Sequence, residues 1–455
     1  MLTCAKERRP GLSETVPTSD ASASALAAQY QRVRDQTEAL CSPLALEDYG
    51  VQPMADASPP KWHLAHATWF FETFLLKTSI PGYTPYHPSY EYLFNSYYNS
   101  VGEQYPRASR GDLSRPTVAE VMAYRHHVDG AMHELMEGER FDLDTVLLGL
   151  NHEQQHQELI LTDVKYNLGR NPLYPAYRDD LALHLDQAGP DVANRSIGSP
   201  SSGRVDKIAP LQFVEFDAAD IEVGASPGFS FDNELPRHRV HVAAFALADR
   251  LVTNEEFQTF MEDDGYCRPE LWLSDGWMAL RNGARQSPLY WTCENGRWYE
   301  YGFAGRAPLN PSQPVVHVNL YEADAYARWC DARLPTEFEW ERAAAGVPPR
   351  GNFVESDLLT PGAATGTGLR QLFGDVWEWT SSSYAPYPGF YPGAGALGEY
   401  NGKFMSSQMV LRGGSCATPE GHVRASYRNF FYPRDQWQFS GLRLATASDT
   451  RRTAV

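Results

Sequence analysis

The chain of 455 residues has no pair of cysteines at Cys-x-x-Cys spacing, its six cysteines being scattered at positions 4, 41, 267, 293, 330 and 416. That excludes a zinc ribbon and a dense disulfide framework. No run of 18 apolar residues occurs, so a membrane span is not expected. The amino terminus carries Arg8, Arg9 and Pro10 without an apolar segment behind them. No signal peptide is visible there, and a cytoplasmic location is the expectation. Basic residues are the minority sign, 39 Lys and Arg against 57 Asp and Glu, for a net charge of −18. Nucleic acid and anionic membranes demand a basic surface, so neither is expected as a partner. No fixed-period repeat appears, which argues against solenoids and propellers. Nothing in the sequence sets the oligomeric state.

What the chain does have is aromatic weight, with 11 Trp, 25 Tyr and 21 Phe, and a length sufficient for two domains. Residues 1–21 are polar and read as a disordered tail. Residues 22–175 carry four helical patterns, at about 22–40, from Pro60 onward, at 118–136 and at 144–168. Ser58 is the expected cap of the second of these. Between the second and third lies an aromatic loop, residues 83–106, of a length more often functional than idle. Residues 176–209, rich in Gly, Pro and Ser, read as a linker. From 210 to 455 the texture changes to short strand-like pieces, glycines and brief helices. Thr253 with Glu256 and Thr336 with Glu339 form capping boxes, residues 315–318 read as a strand, and residues 321–331 as a helix.

His152 and His156 are four apart within the last helix of the first domain, so both project from one face at a spacing that suits two ligands of one metal. A third ligand is available from His63 or His66 on the second helix, and the periodicity does not choose between them. Facing helices of a bundle supply such sites from its core. Imidazoles without cysteine or paired carboxylates suit iron, zinc, copper or nickel better than magnesium or calcium. The string His152-Glu153-Gln154-Gln155-His156 also fits the zinc-protease signature, but no Gly-x-x-His follows to complete it. Glu158 lies about 200° round the helix from His156 and reads as a supporting residue rather than a ligand.

Several strings carry a resemblance that spacing could not supply. In the second half, Arg333-Leu334-Pro335-Thr336-Glu337, Gly374-Asp375-Val376-Trp377-Glu378-Trp379, Arg412-Gly413-Gly414-Ser415 and Ser440-Gly441-Leu442-Arg443 resemble the formylglycine-generating-enzyme (sulfatase-modifying factor) domain, a C-type-lectin-like fold. The first half, with His63-Leu64-Ala65-His66 and His152-x-x-x-His156-x-Glu158, resembles a DinB-like four-helix bundle. Their fusion, an α+β architecture, is similar to the non-haem iron sulfoxide synthases of ergothioneine biosynthesis. That family joins a cysteine-type thiol to C2 of hercynine, Nα-trimethylhistidine, using Fe(II) and O2, and oxidises the sulfur. The resemblance implies His66, His152 and His156 as iron ligands and Gln155 beside the hercynine imidazole. It implies Asn429 at the hercynine end, and Phe430, a substrate-binding candidate, fills a position that is aromatic in relatives.

The chain departs from relatives that use γ-glutamylcysteine, which carry an aspartate where Phe431 stands here. Cysteine is therefore the expected thiol, ahead of γ-glutamylcysteine. The catalytic tyrosine of those relatives comes from the second domain, whereas the conspicuous candidates here are Tyr97 and Tyr98 in the aromatic loop of the first. Arg107 and Arg110 follow that loop and are candidates for the thiol's carboxylate. The rival readings are an ovothiol-type 5-histidylcysteine sulfoxide synthase, which usually carries a methyltransferase, and a true formylglycine-generating enzyme, which needs a cysteine pair where only Cys416 stands. A non-catalytic lectin-like binding protein is the third, and it leaves the histidine helices unexplained.

Overall fold

The computed structural model describes residues 20–138, 141–181, 210–393 and 395–448. Most of the expected tail and linker lies outside these residues. Four long helices frame the first domain: α1 (Asp20–Cys41), α2 (Pro60–Phe71), α3 (Val118–Glu137) and α4 (Leu143–Gly169). Their boundaries fall within about two residues of those expected from the 3.6-residue period. Thr117 opens α3 with a capping box to Glu120, and Asp142 caps α4 through the N–H groups of Asp144 and Thr145. Ser58 does not cap α2 as expected. Pro59 occupies that position, and Pro60 fills the first turn, where no N–H is needed. The Ser58 hydroxyl instead accepts a bond from Arg110 at 2.9 Å. After Phe71, α2 widens into a π-helical turn, Glu72–Leu76, whose buried Glu72 accepts from Tyr124 (2.6 Å) and Tyr83 (3.1 Å).

Helix α4 has no free face at its centre. Toward α1 and α3 it presents Glu153, fully buried, which accepts from Arg34 (2.8 Å), Arg125 (2.6 Å) and Thr37 (2.7 Å). Burial alone would raise the Glu153 carboxyl, but Arg125 and Arg34 outweigh it and hold the group down at about 2. Toward the second domain α4 presents Glu158. Its carboxylate accepts from Trp377 Nε1 (2.8 Å), Ser415 (2.5 Å) and Thr418 (2.7 Å). At the start of the expected linker Tyr177 and Leu181 are buried against the fold, and the Tyr177 hydroxyl donates to the Leu40 carbonyl at 2.6 Å.

The second domain contains small sheets around an aromatic core that includes Trp340, Trp377 and Trp379. Its central sheet runs in the order Asn429–Phe431, Met409–Arg412, Trp377–Ser383, Ser440–Gly441. Both expected capping boxes are present, opening the helices Asn254–Glu262 and Glu337–Ala344. The helix expected at 321–331 runs Leu320–Trp329. Residues 315–318 do not form the expected strand, because His317 is in the left-handed region at φ 62° and turns the chain. That turn puts the His317 ring 2.8 Å from Lys165 on α4. After the strand Met409–Arg412, Gly413 (φ 101°) and Gly414 (φ 85°) make a turn closed to other residues. A Cβ on Gly413 would lie 2.7 Å from the Leu372 carbonyl oxygen. The turn delivers Ser415 to Glu158.

Replacing Glu153 with Ala would remove the carboxylate that two buried guanidiniums share, leaving Arg34 to Asp129 and Arg125 to Glu38, and the charged hydrogen bonds lost are worth about 1.5–3 kcal/mol. Urea unfolding of the metal-free protein should register that loss. A change below about 1 kcal/mol would contradict the role assigned to this ion-pair cluster.

Candidate metal centre and cavity

His66 on α2 and His152 and His156 on α4 are all buried, and one ring nitrogen from each lies within 4.8 Å of the others. His66 donates its Nδ1 proton to the Phe94 carbonyl at 2.5 Å, which leaves Nε2 as a bare lone pair. That Nε2 is 3.2 Å from Nε2 of His152. Two nitrogens at 2.0–2.1 Å from one ion stand about 3–3.4 Å apart, so the spacing fits shared coordination. Burial pushes all three imidazoles below their usual range, His152 to about 3. They are neutral donors at pH 7, the form a metal binds. His152 Nδ1 is buried without a hydrogen-bond partner among the described residues. The donor set therefore fits a borderline metal such as iron. Glu153, the would-be general base of a zinc-protease motif, is committed to Arg34 and Arg125.

The triad opens into a cavity of about 440 Å³ between the two domains, a size suited to small-molecule substrates. Tyr97, Tyr98, Gln155, Asn429, Phe430, Arg107 and Arg110 all line it. They differ in how free they are. Tyr98 is buried against Trp69, Phe70 and Phe74, and its hydroxyl has no partner among the described residues. Burial also raises its phenol well above the ordinary range, so it stays protonated. The Tyr97 hydroxyl, by contrast, is engaged by Arg107. Gln155 is held from both ends: its amide donates to Tyr427 at 2.7 Å, and its carbonyl accepts from Tyr400.

The two arginines do not act as the matched pair their spacing suggests. Arg107 is exposed and bonded to Tyr97 and to the Asp56 carbonyl. Arg110 is buried, with its guanidinium 3.3 Å from the Trp62 ring centre. It donates to Ser58 (2.9 Å) and Ser96 (3.2 Å) and leaves Nε unpaired. Burial and, with it, the like charge of Arg107 lower its affinity for the proton. A buried cation bonded only to hydroxyls favours an incoming carboxylate. Phe430 stacks on Tyr384 at 4.0 Å, and Asn429 accepts from the Phe430 N–H at 2.9 Å. Phe431 lines the same wall.

Sequence reasoning missed Tyr400, Tyr427, Phe231 and Asp435, which also line the cavity. Tyr400 stands 5.7 Å from the His152 ring and stacks with Phe231 at 5.6 Å. These residues come from irregular segments with no period to mark them. The one local signal is that Tyr427 lies two residues before Asn429, the first residue of the short strand that lines the cavity. Cys416 is buried and unpaired, with no second cysteine of a formylglycine-generating pair in the described chain. No helix of the described residues is long and apolar enough to cross a membrane.

Residues 29–160 match the DinB superfamily, and residues 212–367 and 362–448 match the sulfatase-modifying factor enzyme 1-like domain. Hercynine oxygenase from Mycolicibacterium thermoresistibile is 32% identical over 435 residues, covering 87% of this chain and 89% of its own. Hercynine oxygenase from Mycolicibacterium smegmatis is 31% identical over 422 residues, covering 85% of this chain and 91% of its own. The formylglycine-generating enzyme of Streptomyces coelicolor is 29% identical over 267 residues and covers only 49% of this chain. Because the likeness to the first two runs through both domains and not the second alone, the chain belongs to the hercynine oxygenase family and is an enzyme of the oxygenase class.

Proposed function

We propose that the protein joins the thiol sulfur of cysteine to C2 of hercynine and oxidises that sulfur to the sulfoxide, in ergothioneine biosynthesis. The observation that carries this reading is the convergence of three neutral imidazoles, an unpartnered tyrosine hydroxyl and a tethered glutamine on one cavity. The reaction balances as thiol plus imidazole C–H plus O2 giving sulfoxide plus water. His66, His152 and His156 would hold iron(II), which would supply the capacity for electron transfer between the thiol and dioxygen.

The chain's own residues do the positioning. The Gln155 amide, fixed by Tyr400 and Tyr427, sets the orientation of the substrate imidazole. A trimethylammonium donates no hydrogen bonds, so aromatic faces suit it, and Phe404, Phe430 and Tyr400 offer them in this cavity. Asn429 bonds the same end of hercynine. Arg110 takes the carboxylate of the thiol substrate, and Arg107 lies at the exposed rim beside it. Tyr98, protonated and without a competing partner, supplies the proton as dioxygen is reduced, and Tyr97 is the lesser candidate because Arg107 already occupies its oxygen.

Tyr98→Phe keeps the ring packing and removes the proton. Sulfoxide yield should fall by about 10²-fold or more while cysteine sulfinic acid rises, with little change in binding of either substrate. An unaltered product ratio in Tyr98→Phe and in Tyr97→Phe would remove both tyrosines from the mechanism.

The thiol preference follows from Phe431, which cannot accept a bond from the ammonium of a γ-glutamyl arm. An uncompensated charge beside an apolar ring is unfavourable. Measured at saturating hercynine, kcat/KM should favour cysteine over γ-glutamylcysteine by about tenfold. A clear advantage for γ-glutamylcysteine that survives Arg110→Leu and Arg107→Leu would overturn both the Phe431 argument and the carboxylate role of the arginines.

A further inference from the structure

A fourth buried histidine stands beside the triad without belonging to it. His63 precedes His66 by three residues on α2 and is 3% exposed. Its Nδ1 lies 2.8 Å from Nδ1 of His156, and its Nε2 lies 3.1 Å from Oδ2 of Asp163. Asp163 is on α4 about two turns beyond His156. The same Oδ2 accepts the backbone N–H of Ser58 at 2.7 Å, which anchors the carboxylate where the chain enters α2. Both His63 nitrogens are thus engaged, one by a ligand's outer nitrogen and one by a carboxylate. That leaves it no lone pair for the metal.

We infer that Asp163 and His63 form a directional hydrogen-bond relay that fixes the tautomer of His156 and so presents its Nε2 lone pair to the metal. The inference rests on the reading of His66, His152 and His156 as one metal site. Its direction follows from donor and acceptor chemistry. A carboxylate only accepts, so His63 carries its proton on Nε2 and has a bare Nδ1. His156 must then donate from Nδ1, and its Nε2 is left unprotonated. A relay running the other way would put the proton on His156 Nε2, where the metal must bind.

The triad is therefore oriented by unlike devices. His66 is set by a backbone carbonyl, that of Phe94, while His156 is set by a chain of two side chains reaching from α2 back to α4. Outer partners of this kind fix ring orientation and raise the basicity of the ligating nitrogen. His63 and Asp163 are positioning residues: they act through His156 and touch no reacting atom.

The test measures Co(II) affinity of the metal-free full-length protein by chelator competition. It is paired with nitrogen-15 NMR of histidine-labelled protein to read tautomers before metal is added. In Asp163→Leu no acceptor remains at His63 Nε2, so His63 is free to carry its proton on Nδ1 and to reverse its bond to His156. Co(II) affinity should fall by about 10- to 100-fold, with His156 moving from the Nδ1–H to the Nε2–H form. His63→Leu should lose a similar factor. His63→Gln should recover most of it, because its carbonyl can accept from His156 while its amide donates to Asp163; a role in packing alone would not distinguish Gln from Leu in this way. His152→Ala serves as the separate check on the metal site. If it binds Co(II) as tightly as the parent, the metal reading fails. If it loses Co(II) while Asp163→Leu and His63→Leu keep parental affinity, the relay alone is wrong. An Nε2–H tautomer of His156 in the parent, or Gln no better than Leu, would also overturn the relay. Should Asp163→Leu not fold, the His63 pair and the parent's tautomer decide.

Discussion

Buried charge on both sides of one helix is the constraint on which the rest of this structure depends. Helix α4 carries Glu153 toward the bundle and Glu158 toward the second domain, and neither carboxylate can be left without partners in a dry interior. Arg34, Arg125 and Thr37 satisfy the first; Trp377, Ser415 and Thr418 satisfy the second. With both sides committed, α4 cannot rotate or slide without stranding one of them. His152 and His156 each sit within two residues of one of these anchors, so the ligand geometry is inherited from groups that never touch the metal.

The second domain is built to meet that helix. The tryptophan-rich strand Trp377–Ser383 and the Gly413-Gly414 turn both end at Glu158, while the loop through His317 meets Lys165 and Tyr427 meets Gln155. The cavity is the space these contacts leave between the domains. Its walls are divided by chemistry: imidazoles and Tyr98 from the bundle, a buried arginine at one end, and aromatic rings from the second domain. Hydrogen-bonded and apolar features placed this way suit two substrates that must meet in one orientation.

The bundle was legible because the 3.6-residue pattern of its helices is written in the local sequence. The Thr253 and Thr336 capping boxes were legible for the same local reason. Residues 315–318 misled because valines around a histidine read as a strand, whereas a long-range bond to Lys165 pays for a left-handed turn at His317. Ser58 misled because a cap is inferred locally, yet a buried arginine 52 residues away claims its hydroxyl. Spacing on α2 left His63 and His66 equivalent; family likeness favoured His66, and the geometry gives the two rings different neighbours. Tyr400 and Tyr427 were not legible, since they reach the cavity from loops whose course only the tertiary fold determines.

The central claim is the bond formed, so the most direct measurement is the structure of the product. Purified protein with iron(II), oxygen, hercynine and cysteine should yield a compound with the mass of the coupled sulfoxide. Its NMR spectrum should show sulfur on imidazole C2, with the C2 proton lost and the other ring proton retained. Cysteine sulfinic acid as the sole oxidised product, or sulfur attached at another ring carbon with histidine as the better substrate, would contradict the account.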